Sequence, residues 1–254
     1  MKRLGLALIA LLATAPAGLA QQIDLGAIGQ ADGTTIGYVI QMFGLLTILS
    51  IAPGLLIMVT SFTRFVIAFS ILRAGIGLQT TPANLILISL ALFMTFFVMQ
   101  PTFQRAYETG LQPLLANEID EAEAYARVVD PFREFMLAHV RERDLALFRD
   151  LAAQAMPGAP AVEPAPAPTD SAATVELRIL IPAYMISELR RGFEIGFLIV
   201  LPFLVIDLIV STVTMSMGMM MLPPTVISLP FKILFFVLID GWNMLIGGLV
   251  RSYF

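Results

Sequence analysis

Enzymatic chemistry needs nucleophiles, bases or metal ligands within reach of one another, and this chain is poor in them. His139 is the only histidine, and cysteine is absent. The helical zinc-protease motif needs two histidines, so it cannot form. Thiol catalysis, disulfides and thiolate metal sites are excluded with the missing cysteine. No phosphate-binding glycine loop or nucleophile elbow occurs. His139 reads as a solvated or packed residue of a polar helix. The acids around Asp120 read as a solvated helix face, because nothing in the sequence isolates one of them from water. No enzyme, metal or cofactor is expected from this inventory.

What remains is a set of charges inside apolar stretches and a run of methionines. Glu194, Asp207, Lys232 and Asp240 interrupt otherwise hydrophobic sequence. A charge facing lipid is costly, so these are expected to face protein or water. Lys232 and Asp240 are too far apart along one helix to touch. Lys232 is expected to pair with Asp207 or with an acid of a neighbouring subunit. Buried polar contacts that set helix register are the preferred role, with a proton relay as the alternative. Met215, Met217, Met219, Met220 and Met221 crowd around Gly218, just before Pro223 and Pro224. Thioether chains are apolar and adaptable, so they re-pack around irregular shapes. A regular helix would spread five such residues around its circumference. A loop or distorted helix end that projects several into a shared constriction fits better, while plain core filling stays open from the residues alone.

The elements that carry these residues read as membrane helices. The chain is 58% hydrophobic and 13% charged, with mean hydropathy +0.86 and net charge -4. A soluble domain carries about 25% charged residues. Four apolar segments reach spanning length: Ile36 to Thr60, Leu85 to Phe103, Phe193 to Val213 and Val226 to Val250. Each covers a hydrocarbon core of ~30 Å as a helix. Each also contains proline, which kinks helices and frees a carbonyl. Neighbouring protein or water must then satisfy that group. Gly192 and Gly196, and Gly241 with Gly247 and Gly248, suit close helix approach. The predicted fold class is an all-α integral membrane protein. Four long helices form paired, proline-kinked hairpins.

Around them, residues 1–20 read as a cleaved signal peptide, with Lys2 and Arg3 before a short apolar run and Gly18 and Ala20 near the cut. An uncleaved signal anchor is the alternative. Residues 21–103 hold the first two spans. Residues 104–192 hold most of the acids and form a largely helical polar region. In it Glu118 to Ala124 favours helix, a second stretch starts at Pro131, and Leu145, Leu147, Phe148 and Leu151 continue an apolar stripe. Residues 156–171 form a Pro/Ala-rich linker, and helix resumes by Val175 to Ile181. Residues 193–254 hold the last two spans and the methionine run at 215–221. The loop between the first two spans carries Arg64 and Arg73 and no acid. By the positive-inside rule it is cytoplasmic, the polar region is periplasmic and the methionine run returns to the cytoplasmic side. Arg251 on the outer side runs against the rule.

Several stretches are specific: Met58–Arg73 (MVTSFTRFVIAFSILR), Ile88–Pro101 (ISLALFMTFFVMQP), Phe135–Phe148 (FMLAHVRERDLALF), Gly192–Pro224 and Ile227–Leu249. With SFTR, GMMM-x-PP and SLPFK in this order, the chain resembles the FliP family of flagellar type III export-gate proteins, whose virulence-system counterparts are the SctR proteins. Thr81-Pro82-Ala83-Asn84 departs from the family's Thr-Pro-Pro-Asn and leaves the local loop shape open. The resemblance implies a homo-oligomer, a pentamer, that joins FliQ and FliR in a helical, ring-like pore complex of the basal body. FlhA and FlhB are implied neighbours, and the site is the bacterial inner membrane. It implies spans packed largely on one another above the normal bilayer plane. It implies passage of unfolded flagellar subunits, driven by the proton motive force and an ATPase elsewhere. The gasket role falls on Met219, Met220 and Met221, with Met215 and Met217 flanking. The charges singled out for buried or assembly contacts are Lys232, Asp207, Asp240, Glu194 and Arg64 of the SFTR stretch. A proton-coupled secondary transporter remains the alternative, favoured by intramembrane acids and broken helices, although the two halves show no obvious repeat.

Overall fold

The structure, a computed structural model, describes residues 33–78, 80, 82–155, 175–218 and 223–254. The expected signal peptide, the Pro/Ala linker and Met219 to Met221 lie outside the described residues. The described residues are all-α, with no strand among them. Two compact units divide the chain, Met1–Ala52 and Pro53–Phe254.

Helix α1 is Gly33–Val59 and carries Pro53 at the boundary between the units. Within the first unit it is largely apolar. The Thr47 and Ser50 hydroxyls each donate at 2.8 Å to the carbonyl one turn earlier, at Phe43 and Leu46. Such back-bonding lets a hydroxyl sit in an apolar helix without an outside partner.

In the second unit, α2 is Phe62–Ile76, α3 is Asn84–Ala106, and a π-helical turn, Tyr107–Leu111, leads into the short α4, Gln112–Leu115. Then come α5, Glu121–His139, α6, Glu142–Ala155, α7, Leu177–Ser216, α8, Pro224–Leu238, and α9, Gly241–Arg251. Asn84–Leu115 and Leu177–Ser216 are each long and apolar enough to cross a membrane, and the count rises to four if each bent helix pair is one span. Helix α7 has 40 residues. At 1.5 Å per residue that is about twice a ~30 Å hydrocarbon core.

Four sequence expectations change here. The stretch between the first two apolar segments is not a simple loop: α2 fills most of it and lies in the core. Phe65, Ala68, Phe69, Leu72 and Ile76 recur on one face and are buried, a stripe too short for a span but sufficient for a packed helix. Gly77 ends α2 with φ 92°, donating to Ala74 O at 3.0 Å while Leu78 N–H reaches Arg73 O at 3.2 Å. This is the left-handed helix stop that glycine allows. Second, α5 runs through Pro131 without a new start. Asp120 caps it, accepting from Glu123 N at 2.7 Å. Third, Leu145 is buried on α6, whereas Leu147 and Leu151 are exposed. Fourth, the last apolar segment breaks into α8 and α9, bent by 62°. The break falls at Asp240, with φ 52°, and not at Pro230, which α8 accommodates in its interior.

The centre of the unit is α2 against α7. Small residues set their approach. A Cβ at Gly196 would meet Ile71 Cδ1 at 2.7 Å, one at Gly192 would meet Ile67 at 3.1 Å, and one at Gly75 would meet Val200 Cγ2 at 2.3 Å. Gly247 and Gly248 have no such neighbour. One buried cluster joins Phe65, Phe69, Phe203, Phe236 and Leu249; a second joins Met136, Leu145, Leu180 and Tyr184 beneath α5 and α6.

Candidate functional site

Burial of apolar stripes from α2, α7 and α8 brings two sets of charges inside the bundle. The first is centred on Arg64, in the first turn of α2. Its side chain and that of Glu188 on α7 are both fully buried. Arg64 Nε donates to Glu188 Oε2 at 2.9 Å, and Nη2 donates to Oε1. The remaining donor, Nη1, reaches Ser252 Oγ at 2.7 Å and Ser252 O at 3.2 Å. The guanidinium carbon sits 3.7 Å from the centre of the Tyr253 ring. Tyr253 in turn donates its hydroxyl to Glu188 Oε2 at 2.5 Å. Burial, and then the Glu188 carboxylate, push the Tyr253 hydroxyl well above the ordinary tyrosine range, so it stays a donor. A fork–fork guanidinium–carboxylate pair with further hydrogen bonds to both partners is the arrangement in which a buried ion pair is tolerated.

Arg64 therefore does not act as a loop charge. Of the two arginines counted there, Arg73 remains near the helix end and donates to Asn84 Oδ1. Glu188, Ser252 and Tyr253 were not singled out from sequence. Glu188 lies among other charges of the polar region, and nothing in its local pattern marks its burial. Around the pair, Phe135 stacks on Tyr253 with ring centres 5.9 Å apart. His139 packs against both rings, its Nδ1 2.7 Å from Phe135 O and its Nε2 3.3 Å from Tyr253 O.

The second set ties α2, α7 and α8 at the other end of the bundle. Lys232 Nζ donates to Asp207 Oδ2 at 2.6 Å and to Gly75 O at 3.1 Å. Ser228 Oγ donates to Asp207 Oδ1 at 2.5 Å. Of the two partners considered for Lys232, the one within the chain is in contact. Glu194 and Asp240 do not join either set. Glu194 is exposed and accepts from Arg190 Nε at 2.8 Å, and Asp240 is exposed at the α8–α9 break, where Asn243 Nδ2 donates to it at 3.1 Å. No group of three or more metal-ligating side chains occurs among the described residues.

The methionine run leaves the end of α7. Met215 and Met217 are exposed, and Met217 lines an apolar cavity of about 500 Å³ with Ile206, Val210, Val213, Ile227 and Phe231. Gly218 follows with φ 75°. The backbone thus departs from helical geometry within the run, after Met217, as a positive φ at glycine allows without strain. What this geometry supplies chemically is apolar surface and buried, hydrogen-bonded charge.

These features define an all-helical membrane protein with two ion pairs, Arg64–Glu188 and Lys232–Asp207, inside its helix bundle. Comparison with known proteins gives the family. The FliP family matches residues 45–249, which contain both ion pairs and the methionine run. The chain is 64% identical over 222 residues to the flagellar biosynthetic protein FliP of Rhizobium meliloti, covering 87% of this chain and 86% of that one. It is 62% identical over 224 residues to that of Agrobacterium fabrum, covering 88% and 87%. With that of Bacillus subtilis it shares 45% over 223 residues, covering 88% and 96%. The chain belongs to the FliP family.

Proposed function

We propose that this chain is a pore-forming core subunit of the flagellar type III protein export gate, held in the bacterial inner membrane within the basal body. It forms a homo-oligomer with FliQ and FliR, beside FlhA and FlhB, and passes unfolded flagellar subunits. It catalyses no reaction of its own. The observation that carries this reading is the family match over residues 45–249, which spans both long apolar helices and the methionine run between α7 and α8. The flagellar relatives favour a flagellar over a virulence apparatus.

Met219, Met220 and Met221 form the gasket in this proposal. Support comes from their neighbours: Met215 and Met217 are exposed and so do not fill a core within the chain. Lys232 with Asp207, and Arg64 with Glu188, hold the helices in the shape that assembles. Exposed apolar side chains run along α3, α7 and α8, including Phe93, Phe97, Phe197 and Leu208. Apolar surface of this extent must be covered by lipid or by other subunits. Co-expression with FliQ and FliR and purification in a mild detergent tests the reading. A ring-shaped complex containing all three is expected. A monomer that binds a small solute would overturn it in favour of a transporter.

A further inference from the structure

His139 is the only histidine of the chain, and neither ion pair uses it. It is the last residue of α5 and is half-buried, so protons reach it from solvent. Its ring packs on Phe135, with centres 4.5 Å apart, and on Tyr253, 5.1 Å apart. These contacts aim both ring nitrogens at carbonyl oxygens. Nδ1 lies 2.7 Å from Phe135 O, one turn back in the same helix. Nε2 lies 3.3 Å from Tyr253 O, in the turn that follows α9. A carbonyl oxygen only accepts. A neutral imidazole has one N–H and one bare lone pair, whereas the imidazolium donates from both nitrogens. Either neutral tautomer therefore sets a lone pair against an oxygen, and only the cation satisfies both contacts. The carbonyl end of α5 favours a cation at the same place.

The charged and titratable groups around the ring come from every element packed there. Arg64 of α2 and Glu188 of α7 pair with each other. The Tyr253 hydroxyl donates to Glu188 at 2.5 Å, and that of Tyr184 on α7 donates to Thr60 O at 3.1 Å. Arg141 follows in the α5–α6 turn and opposes a second cation. Glu142 and Arg143 beyond it, and Arg251 before the 252–253 turn, are exposed to water. The ring's hydrogen-bond partners among the described residues are the two carbonyls. Its charge state is therefore answered by backbone, one oxygen on each side of a contact between distant parts of the chain.

We propose that His139 is a proton-operated latch. As the imidazolium it fastens the 252–253 turn to the end of α5, and on losing its proton it releases that turn. The neutral ring keeps the short bond to Phe135 O, which its own helix holds in place. Its Nε2 lone pair then faces Tyr253 O and repels it. The release reaches the buried ion pair, because the same turn supplies partners to it. Ser252 accepts from Arg64 Nη1 through its hydroxyl at 2.7 Å and its carbonyl at 3.2 Å. Acid closes the turn onto the α2–α7 clamp, and alkali loosens it. This latch does not depend on the export reading.

The test uses the full chain without a polyhistidine tag, in mild detergent, with the imidazole labelled with nitrogen-15. A single histidine gives one pair of ring signals, whose shifts report which nitrogens carry protons. They are followed from about pH 5 to about pH 8, the range in which imidazole changes charge. At the acid end both nitrogens are expected to carry protons, and at the alkaline end Nδ1 alone. Hydrogen exchange read by mass spectrometry follows the amides of Ser252 and Tyr253, which donate to Gly248 O and Val250 O in the closed turn. After correction for intrinsic rates, opening is expected to rise on the order of tenfold as the ring is neutralised, the loss of one charge-assisted bond. Its midpoint should match that of the ring. In His139→Gln the turn should exchange at the fast level at every pH. A ring that stays neutral throughout, or keeps its proton on Nε2 at the alkaline end, overturns the proposal. So does exchange that ignores the ring titration, a result the unsubstituted chain gives even if the Gln variant fails to fold.

Discussion

Arg64 and Glu188, 124 residues apart in sequence, meet through two parallel hydrogen bonds with neither side chain reaching solvent. The contact clamps α2 to α7 at the point where α2 begins. Tyr184, one turn before Glu188, donates its hydroxyl to Thr60 O at 3.1 Å and ties α7 to the turn that leads into α2. Because the Arg64 donors and the Glu188 oxygens are occupied, the pair specifies which faces of the helices meet.

Removing one partner leaves the other charge buried alone. Arg64→Ala or Glu188→Ala is expected to destabilise the fold by about 3–5 kcal/mol. Replacing both by apolar residues of similar volume, Arg64→Met with Glu188→Leu, recovers most of the loss. Denaturant unfolding in detergent, arranged as a double-mutant cycle, measures the difference. Simple additivity of the two single losses would refute the coupling.

Tyr253→Phe keeps the ring over the guanidinium and deletes only the hydroxyl. Glu188 Oε2 then loses one donor. A loss of about 1–3 kcal/mol is expected, well below that of Arg64→Ala. The comparison of unfolding midpoints for the two variants separates the ring's contribution from the hydroxyl's.

Lys232→Met should leave Asp207 with only Ser228. Because Asp207 is partly exposed, the expected loss is smaller, about 1–2 kcal/mol. The proposed role in assembly predicts a larger effect on ring yield than on folding of the chain. Native gels of the co-purified complex read that yield, and a normal ring in Lys232→Met would remove the assembly role.

At Gly75 an added methyl would overlap Val200. Gly75→Ala is expected to cost about 1–3 kcal/mol through overpacking. Val200→Ala in the same chain should restore part of the stability, since it vacates the space that the new methyl needs. Failure of that rescue would point to the Lys232 contact at Gly75 O as the cause instead.

For the proposed gasket, Met219→Ala, Met220→Ala and Met221→Ala together remove apolar volume from the constriction. Assembly is expected to survive while ion conductance of the closed complex rises in planar bilayers. Conductance equal to the unsubstituted complex would rule out sealing by these residues.

Long apolar runs are visible in any window of sequence, so the spanning segments of α3 and α7 and the all-α class were legible from residue types alone. The same holds for Gly192 and Gly196, whose spacing marks a close helix contact and whose space is indeed taken up by Ile67 and Ile71. Helix α2 was hidden because its stripe is short and carries two arginines, which read as loop charge when the partner helix is not known. The bend at Asp240 was hidden because proline is the stronger breaker by local rules, and here α8 absorbs Pro230 while Asp240 takes the left-handed backbone.

The sequence by itself determined which residues must leave water, that no thiol or paired-histidine chemistry is present, and where the methionines crowd. These follow from composition and spacing, which are local. Only the tertiary structure decided which charges share a partner. Arg64 with Glu188 and Lys232 with Asp207 are pairings across long stretches of chain, made when α2 closes on α7 and α7 on α8. Glu194 and Asp240, apolar in their sequence surroundings, stay at the surface for the same reason. A helix has one inward face, and which residues lie on it depends on the neighbour it packs against.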